Sequence, residues 1–385
     1  MSLEQSIQEE LASLEDAGLL RKPLTLSRRD GRLHLGEQPL LVFCSNDYLG
    51  LADDPELQLL AQQALAEHGL GGGASRLISG TRDAHRSAEA TLAHWVDAEA
   101  ALLFSSGYAA NVGALSALLD REDVAFSDRL NHASLIDGLR ASRATTHIYA
   151  HGDADHLEWL LRRHRSDGRR AWVVSDTLFS MDGDTAPIAL LAQRCAEHQA
   201  SLYVDEAHAI GVVGAGRGLC HEHGVRPDVL VGTLGKAAGV SGAFVAGSAA
   251  LRSFLENRAR SFVFSTALPP FLAAVIDHAA QRAQHAADAR AVLARHAARI
   301  REQLRLQGWD VPDGHSPIVP VLIGDPARTM ALSHHLLTQG LFVQGIRPPT
   351  VPTGTSRLRI VPTAAHRDAD IERLLEAFAD AARVT

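Results

Sequence analysis

Between Asp123 and Gly247 the chain repeats short apolar runs separated by helical or turn segments: Val124-Ala-Phe126, Ala171-Trp-Val-Val174, Leu202-Tyr-Val204, Val229-Leu-Val231 and Ala243-Phe-Val-Ala246. Runs this short and this continuously apolar are strands buried on both faces, and the segments between them supply the covering helices. This reads as a mostly parallel sheet in an α/β domain. Pro187 to His198, with Ile188, Leu191 and Cys195 on one face, is one covering helix.

Polar residues close these runs. Ser127 and Asp128, Ser175 and Asp176, Asp205 and Thr233 stand at carboxyl ends, the edge where open α/β sheets collect ligands. Each alone is explained by a turn or cap, and that local explanation suits Asp128 and Asp176. Just beyond the fourth run lies Thr233-Leu-Gly-Lys236-Ala-Ala-Gly-Val-Ser-Gly242, a lysine among small residues that let a ligand approach the backbone. A lysine in a dry site can lose its proton and attack a carbonyl, although Lys236 by itself could be an ordinary loop residue. It does not belong to a nucleotide P-loop: Leu230 stands where that motif needs glycine, and Ala237 where it needs Ser or Thr.

The remaining chain divides around this block. Leu3, Ile7, Leu11 and Leu14 predict an amphipathic helix from residue 3 to about 16 that packs on a larger body. Gly31, Gly36 and Pro39 punctuate a hairpin leading to Leu40-Leu-Val-Phe43. The run Gly69-Leu-Gly-Gly-Gly-Ala74 fits a dinucleotide spacing but follows a helix instead of a strand, so it reads as a loop. After about residue 285 the composition turns to a helix rich in Ala, Arg and His, then to alternating strands and helices of a small α+β domain. The expected organisation is an N-terminal segment 1–45, a large domain 46–285 and a small C-terminal domain 286–385.

With a net charge of -8, a sequence-independent grip on nucleic acid is not expected. Cys44, Cys195 and Cys220 lack metal-binding or disulfide spacing, and Cys220, His221 and His223 lack a fourth ligand, so no metal is expected. The basic cluster Arg162-Arg-His-Arg165 with Arg169 and Arg170 reads as a solvated face. No run reaches the roughly eighteen apolar residues of a membrane span, and a cytoplasmic protein is expected.

An aldehyde cofactor on Lys236 would need an anion cradle, a carboxylate for a ring nitrogen and a flat group for the ring face. Ser105-Ser-Gly107-Tyr108-Ala-Ala-Asn111 follows an apolar run and opens a helical pattern, which offers backbone N–H groups at Gly107 and Tyr108 to a phosphate. Asp205 can partner the ring nitrogen, although a helix N-cap explains it about as well. His132, in Asn131-His-Ala-Ser134, can lie on the ring, and His208 can bond the phenolic oxygen.

These residues resemble the α-oxoamine synthases, pyridoxal-phosphate enzymes of the aspartate-aminotransferase-like fold (fold type I). The resemblance rests on Ser45-Asn-Asp-Tyr-Leu-Gly50, Asn131-His-Ala-Ser134, Phe179-Ser-Met-Asp-Gly-Asp184, Val204-Asp-Glu-Ala-His208 and Thr233-Leu-Gly-Lys236, in that order along nearly the whole chain. Within the group, Gly345-Ile-Arg-Pro-Pro-Thr-Val-Pro352 with Arg357-Leu-Arg359 resembles the branch of biotin biosynthesis that condenses L-alanine with a pimeloyl thioester of CoA or acyl carrier protein. The resemblance implies pyridoxal 5'-phosphate held by Lys236, which also serves as the α-proton base, with Asp205 at the ring nitrogen. It places Gly107, Tyr108, His132, Ser180, His208 and Thr233 on the cofactor and Arg21, Asn46, His132, Thr350 and Arg359 on substrate. It further implies a homodimer with interface sites, in which Ser265 and Thr266 contact the phosphate bound by the partner subunit. Two positions depart from the pattern: Ala238 is smaller than its usual counterpart, and Glu206 replaces a frequent Asp.

Overall fold

The computed structural model describes residues 2–165 and 170–384, so Arg169 of the basic cluster lies outside the described residues. The chain divides into two compact units. One comprises residues 46–294 and 363–365, the other residues 1–45, 295–362 and 366–385.

The larger unit is built on a seven-stranded sheet. Its strands in chain order are β1 (Ala100–Phe104), β2 (Val124–Asp128), β3 (Thr145–Tyr149), β4 (Ala171–Asp176), β5 (Ala200–Asp205), β6 (Val229–Thr233) and β7 (Ala243–Gly247). Their spatial order is β1-β7-β6-β5-β4-β2-β3. Only β7 runs against its neighbours. The expected parallel sheet is therefore present, and β2, β4, β5 and β6 bring their carboxyl ends to one edge. Asp176 and Asp205 are directly paired in register there.

Every residue of β2 and of β4 is buried, which explains why these strands read as continuous apolar runs. Strand β3 has the opposite character. It is an edge strand, its first residues Thr145 and Thr146 are exposed, and it lacks the apolar run that marks its neighbours.

Helices cover the sheet where caps and periodicity dictate. Ile188–His198 buries Ile188, Leu191 and Cys195, as the spacing requires. Gly107–Leu118 starts behind Ser106, whose Oγ accepts the Ala109 N–H at 3.1 Å and fixes the first turn. Leu115, Leu135, Val174, Tyr203, Val231 and Phe262 belong to the core between these layers. The Gly69–Ala74 stretch is a loop whose Ala74 carbonyl accepts the Ala267 N–H at 2.9 Å.

The second unit contains a three-stranded antiparallel sheet, in which Ser356–Ile360 lies between Val319–Gly324 and Gln344–Ile346. Helices Pro326–Thr338 and Asp368–Val384 contribute Leu332, Leu336, Leu374 and Phe378 to its core. Leu41–Val42 pairs in parallel with Leu341–Phe342, and this pairing ties the 1–45 segment to the C-terminal part of the chain. The segment is thus not separate from the C-terminal unit. Likewise the division after Ala294 falls inside the helix Ala287–Leu306, because composition changes at the helix start while its packing changes partway along.

Leu3–Asp16 is helical, with Ser2 and Gln5 forming a capping box, but none of its residues is buried. The expectation that it packs on a larger body is not met among the described residues. Leu3, Ile7 and Leu11 remain exposed.

Candidate active site

A cavity of about 370 Å³ lies in the larger unit, and its wall includes the strand-end residues Asp176, Asp205 and Thr233. Asn46, Gly107, Tyr108, His132, Ser180, His208 and Lys236 line the same cavity. Parallel strands deliver the first group, the turns that follow them deliver His132, His208 and Lys236, and the helix start after β1 delivers Gly107 and Tyr108.

Lys236 Nζ lies 2.9 Å from His208 Nε2, and His208 Nδ1 lies 2.6 Å from Tyr48 Oη. Tyr48 is fully buried. When Lys236 is an ammonium it donates to Nε2, which leaves the ring proton on Nδ1 and directed at the phenol oxygen. When the amine is neutral the donor order can reverse. Protonation of Lys236 is thereby linked to a buried tyrosine.

A second network starts at His132. Asn111 Nδ2 donates to Ser134 Oγ at 2.9 Å and to Asp205 Oδ2 at 2.6 Å, while Tyr203 Oη donates to Asn111 Oδ1 at 2.9 Å. Ser134 Oγ in turn lies 2.8 Å from His132 Nδ1, which also accepts the Ser134 N–H at 3.2 Å. The directions agree only if Nδ1 is an acceptor, so the His132 proton sits on Nε2. Burial pushes the His132 pKa down; the Asp205 charge opposes this and the Lys236 charge adds to it. The outcome is a neutral, flat ring fixed at one edge.

Asp205 is held from two sides, by Asn111 and by the Ala207 N–H at 2.8 Å to Oδ1. Asp176 accepts the His132 backbone N–H at 2.7 Å. Its pKa is pushed well above the usual carboxylate range by burial, with the Asp205 charge acting in the same direction.

The phosphate-cradle expectation can be tested on Gly107. A Cβ built there would sit 2.5 Å from Thr233 Cγ2, so the helix start and the end of β6 approach too closely for any side chain. Helix geometry leaves the N–H groups of Gly107 and Tyr108 without intrahelical acceptors. An open anion-binding helix end, a buried carboxylate, a flat histidine and a lysine amine in one cavity fit pyridoxal phosphate. The Tyr108 hydroxyl turns outward and donates to Asp137 Oδ2 at 2.6 Å.

The other predicted substrate residues lie in the second unit. Arg21 donates to Thr350 Oγ1 at 2.7 Å, and Arg359 is buried in Ser356–Ile360. Ser265 and Thr266 do not line the cavity of their own chain; Thr266 bridges Ser75 beside the glycine loop.

Ala238 is buried, and nothing in the structure explains its small size. Glu206 reaches the N-terminus of the short helix Leu219–Glu222, accepting the Leu219 and Cys220 N–H groups at 2.8 Å each. It supports the turn after Asp205 and lies outside the cavity lining.

Tyr48, Asn111, Ser134 and Asp176 are the site residues that motif reading did not single out. Asn111 and Ser134 close two of the quoted motifs, and Asp176, expected as a turn or cap residue, instead lines the cavity beside Asp205. Tyr48 stands inside Ser45-Asn-Asp-Tyr-Leu-Gly50, but its link to the site runs through His208, 160 residues away.

Residues 38–378 match the family of class I and II aminotransferases. An 8-amino-7-oxononanoate synthase of Geobacter sulfurreducens is 46% identical over 385 residues, covering 97% of each chain. Among solved structures, the serine palmitoyltransferase of Sphingomonas wittichii is 31% identical with a TM-score of 0.93, covering 100% of this chain and 99% of its own. The 8-amino-7-oxononanoate synthase of Francisella tularensis is 26% identical with a TM-score of 0.77, covering 90% of this chain and 98% of its own.

Proposed function

This chain belongs to the class I and II aminotransferase family, and on that premise we propose that it makes 8-amino-7-oxononanoate from L-alanine and a pimeloyl thioester. Carbon dioxide and the free thiol are the other products, and biotin biosynthesis is the setting. The observation that carries this reading is the convergence of Lys236, His208, His132 and Asp205 on one cavity, in a chain 46% identical to a synthase of that product.

The cofactor is pyridoxal 5'-phosphate. When bound, it supplies an electron sink for the charge left when the α-carbon loses a proton. Lys236 Nζ would hold it covalently, and as a free amine the same group would take the α-proton of alanine. His208 and Tyr48 stabilise the protonation state of that amine through their hydrogen-bonded chain. Asp205, oriented by Asn111 and the Ala207 N–H, holds a proton on the ring nitrogen. His132 would cover the ring face and orient the substrate carboxylate, while Gly107 and Tyr108 would offer N–H groups to the phosphate. Ser180 and Thr233 complete its polar edge.

Substrate roles for Asn46, Arg21, Thr350 and Arg359 follow from their motif positions, and a guanidinium suits a paired grip on a carboxylate. Leu70, Ile78 and Phe264 are 78%, 80% and 71% exposed, and Tyr108 is half exposed at the cavity. Apolar groups left open in this way support a homodimer, in which Ser265 and Thr266 contact the partner's phosphate. The acyl donor is a thioester of CoA or acyl carrier protein, and the protein works in the cytoplasm. Among the described residues no helix is long and apolar enough to cross a membrane.

A second reading, another α-oxoamine synthase using serine or glycine with a different acyl-CoA, is favoured by the TM-score of 0.93 to a serine palmitoyltransferase. Thiol release separates the two. Alanine with a pimeloyl thioester should be preferred over serine with palmitoyl-CoA and over glycine with acetyl-CoA; preference for either of those pairs overturns the assignment.

A further inference from the structure

Two loops that line the cavity are joined by a histidine that does not line it. The loop after β4 is closed by the Leu178–Thr185 bridge and by the Phe179 N–H donating to the Asp184 carbonyl at 2.9 Å, and it carries Ser180. The turn after β2 carries His132. It is shaped by Asp128, whose carboxylate accepts the Leu130 N–H at 2.8 Å and whose carbonyl accepts the Asn131 N–H at 3.3 Å.

His151 stands between them. Its Nδ1 lies 2.9 Å from Asp128 Oδ1 and its Nε2 lies 2.7 Å from Asp184 Oδ2. A neutral imidazole has one N–H and would face one of these carboxylates with a lone pair, so the geometry calls for both nitrogens protonated. Asp128 is buried and also accepts the Gly152 N–H at 2.9 Å, which ties the backbone after His151 to the same carboxylate. Asp184 Oδ1 is buried with no hydrogen-bond partner among the described residues, which makes His151 the hydrogen-bonding anchor of that carboxylate. The Phe179 ring meets His151 edge-on at 4.4 Å.

We infer that His151 is a positioning residue: by bridging Asp128 to Asp184 it sets the spacing between the turn that carries His132 and the loop that carries Ser180. The inference rests on the proposed function, because the spacing matters only for a ligand held between those two residues.

The test is titration of cofactor-free full-length protein with pyridoxal phosphate, followed by absorbance, for wild type, His151→Gln, Asp184→Asn and the double variant. Asp184→Asn changes a half-exposed loop residue and keeps the test decisive if His151→Gln fails to fold. Each single substitution should raise the dissociation constant roughly tenfold and shift the bound-cofactor absorbance, and the double variant should be no weaker than His151→Gln alone, because linked residues are not additive. Lowered melting temperature with unchanged affinity and absorbance would reduce His151 to a structural part and overturn the inference, as would additive effects. Wild-type protein that fails to bind the cofactor instead overturns the functional reading and, with it, this inference.

Discussion

Lys236 Nζ and His208 Nε2 are 2.9 Å apart, and the far side of the same imidazole meets the buried Tyr48 hydroxyl at 2.6 Å. The amine proposed to move the substrate proton therefore shares its hydrogen-bonding state with a phenol that the cavity does not expose. Tyr48→Phe removes the end of this chain and keeps the ring volume. It should lower kcat roughly tenfold, less than the ~10²–10⁴ lost with the acid–base group itself, with little change in KM for alanine. Steady-state kinetics check this; an unchanged kcat would show that the phenol does not act on the lysine.

Asn111 is the only side chain among those named that touches both Asp205 and Ser134. Asn111→Leu should leave the Tyr203 hydroxyl and Asp205 Oδ2 without the hydrogen bonds that Asn111 makes to them, at a cost of about 2 kcal/mol or more. Asn111→Asp adds a negative charge beside Asp205 and should raise the cofactor dissociation constant by more than Asn111→Ser. Thermal melts and cofactor titrations measure the two effects separately.

Gly107→Ala puts a methyl group 2.5 Å from Thr233 Cγ2. The helix start must shift, and cofactor affinity should fall about tenfold or more, while Gly71→Ala, at an exposed position with open space around its Cβ and no left-handed backbone, should leave affinity unchanged. Equal affinity in both variants would mean that the Gly107 turn does not cradle the phosphate.

Much of this arrangement is legible in the sequence because buried parallel strands carry an unbroken apolar signal and end where ligands collect. Val124-Ala-Phe126 and Val229-Leu-Val231 mark their strands, and Asp205 and Thr233 mark the edge. Thr145–Tyr149 escapes because an edge strand can be polar and exposed. Tyr48, Asn111 and Ser134 stand inside the quoted motifs, but their roles escape for another reason: hydrogen-bond partners across 160, 94 and 23 residues leave no local spacing to read. The apolar stripe of Leu3–Asp16 predicted its helix correctly but not what covers it.

His151 provides a pH signature. Burial disfavours its charged form, but hydrogen bonds to Asp128 and Asp184 and their charges prevail and raise its pKa from 6.5 to about 10. A raised pKa in the folded state means the folded protein binds the proton more tightly. The histidine's contribution to stability is therefore full below pH 6.5, declines as pH rises, and is lost through about pH 10. Unfolding free energy measured across this window should fall more steeply for wild type than for His151→Gln; equal slopes would mean that the imidazolium is not stabilised by its two carboxylates.

Removal of the α-proton of alanine by Lys236 is read from exchange of that proton with solvent. Cofactor-loaded enzyme is incubated with L-alanine in deuterium oxide without thioester, and loss of the α-hydrogen signal is followed by NMR. Wild type should exchange it, and Lys236→Ala should be slower by roughly a thousandfold, within the range of a lost general base. Exchange by Lys236→Ala at the wild-type rate would contradict the account.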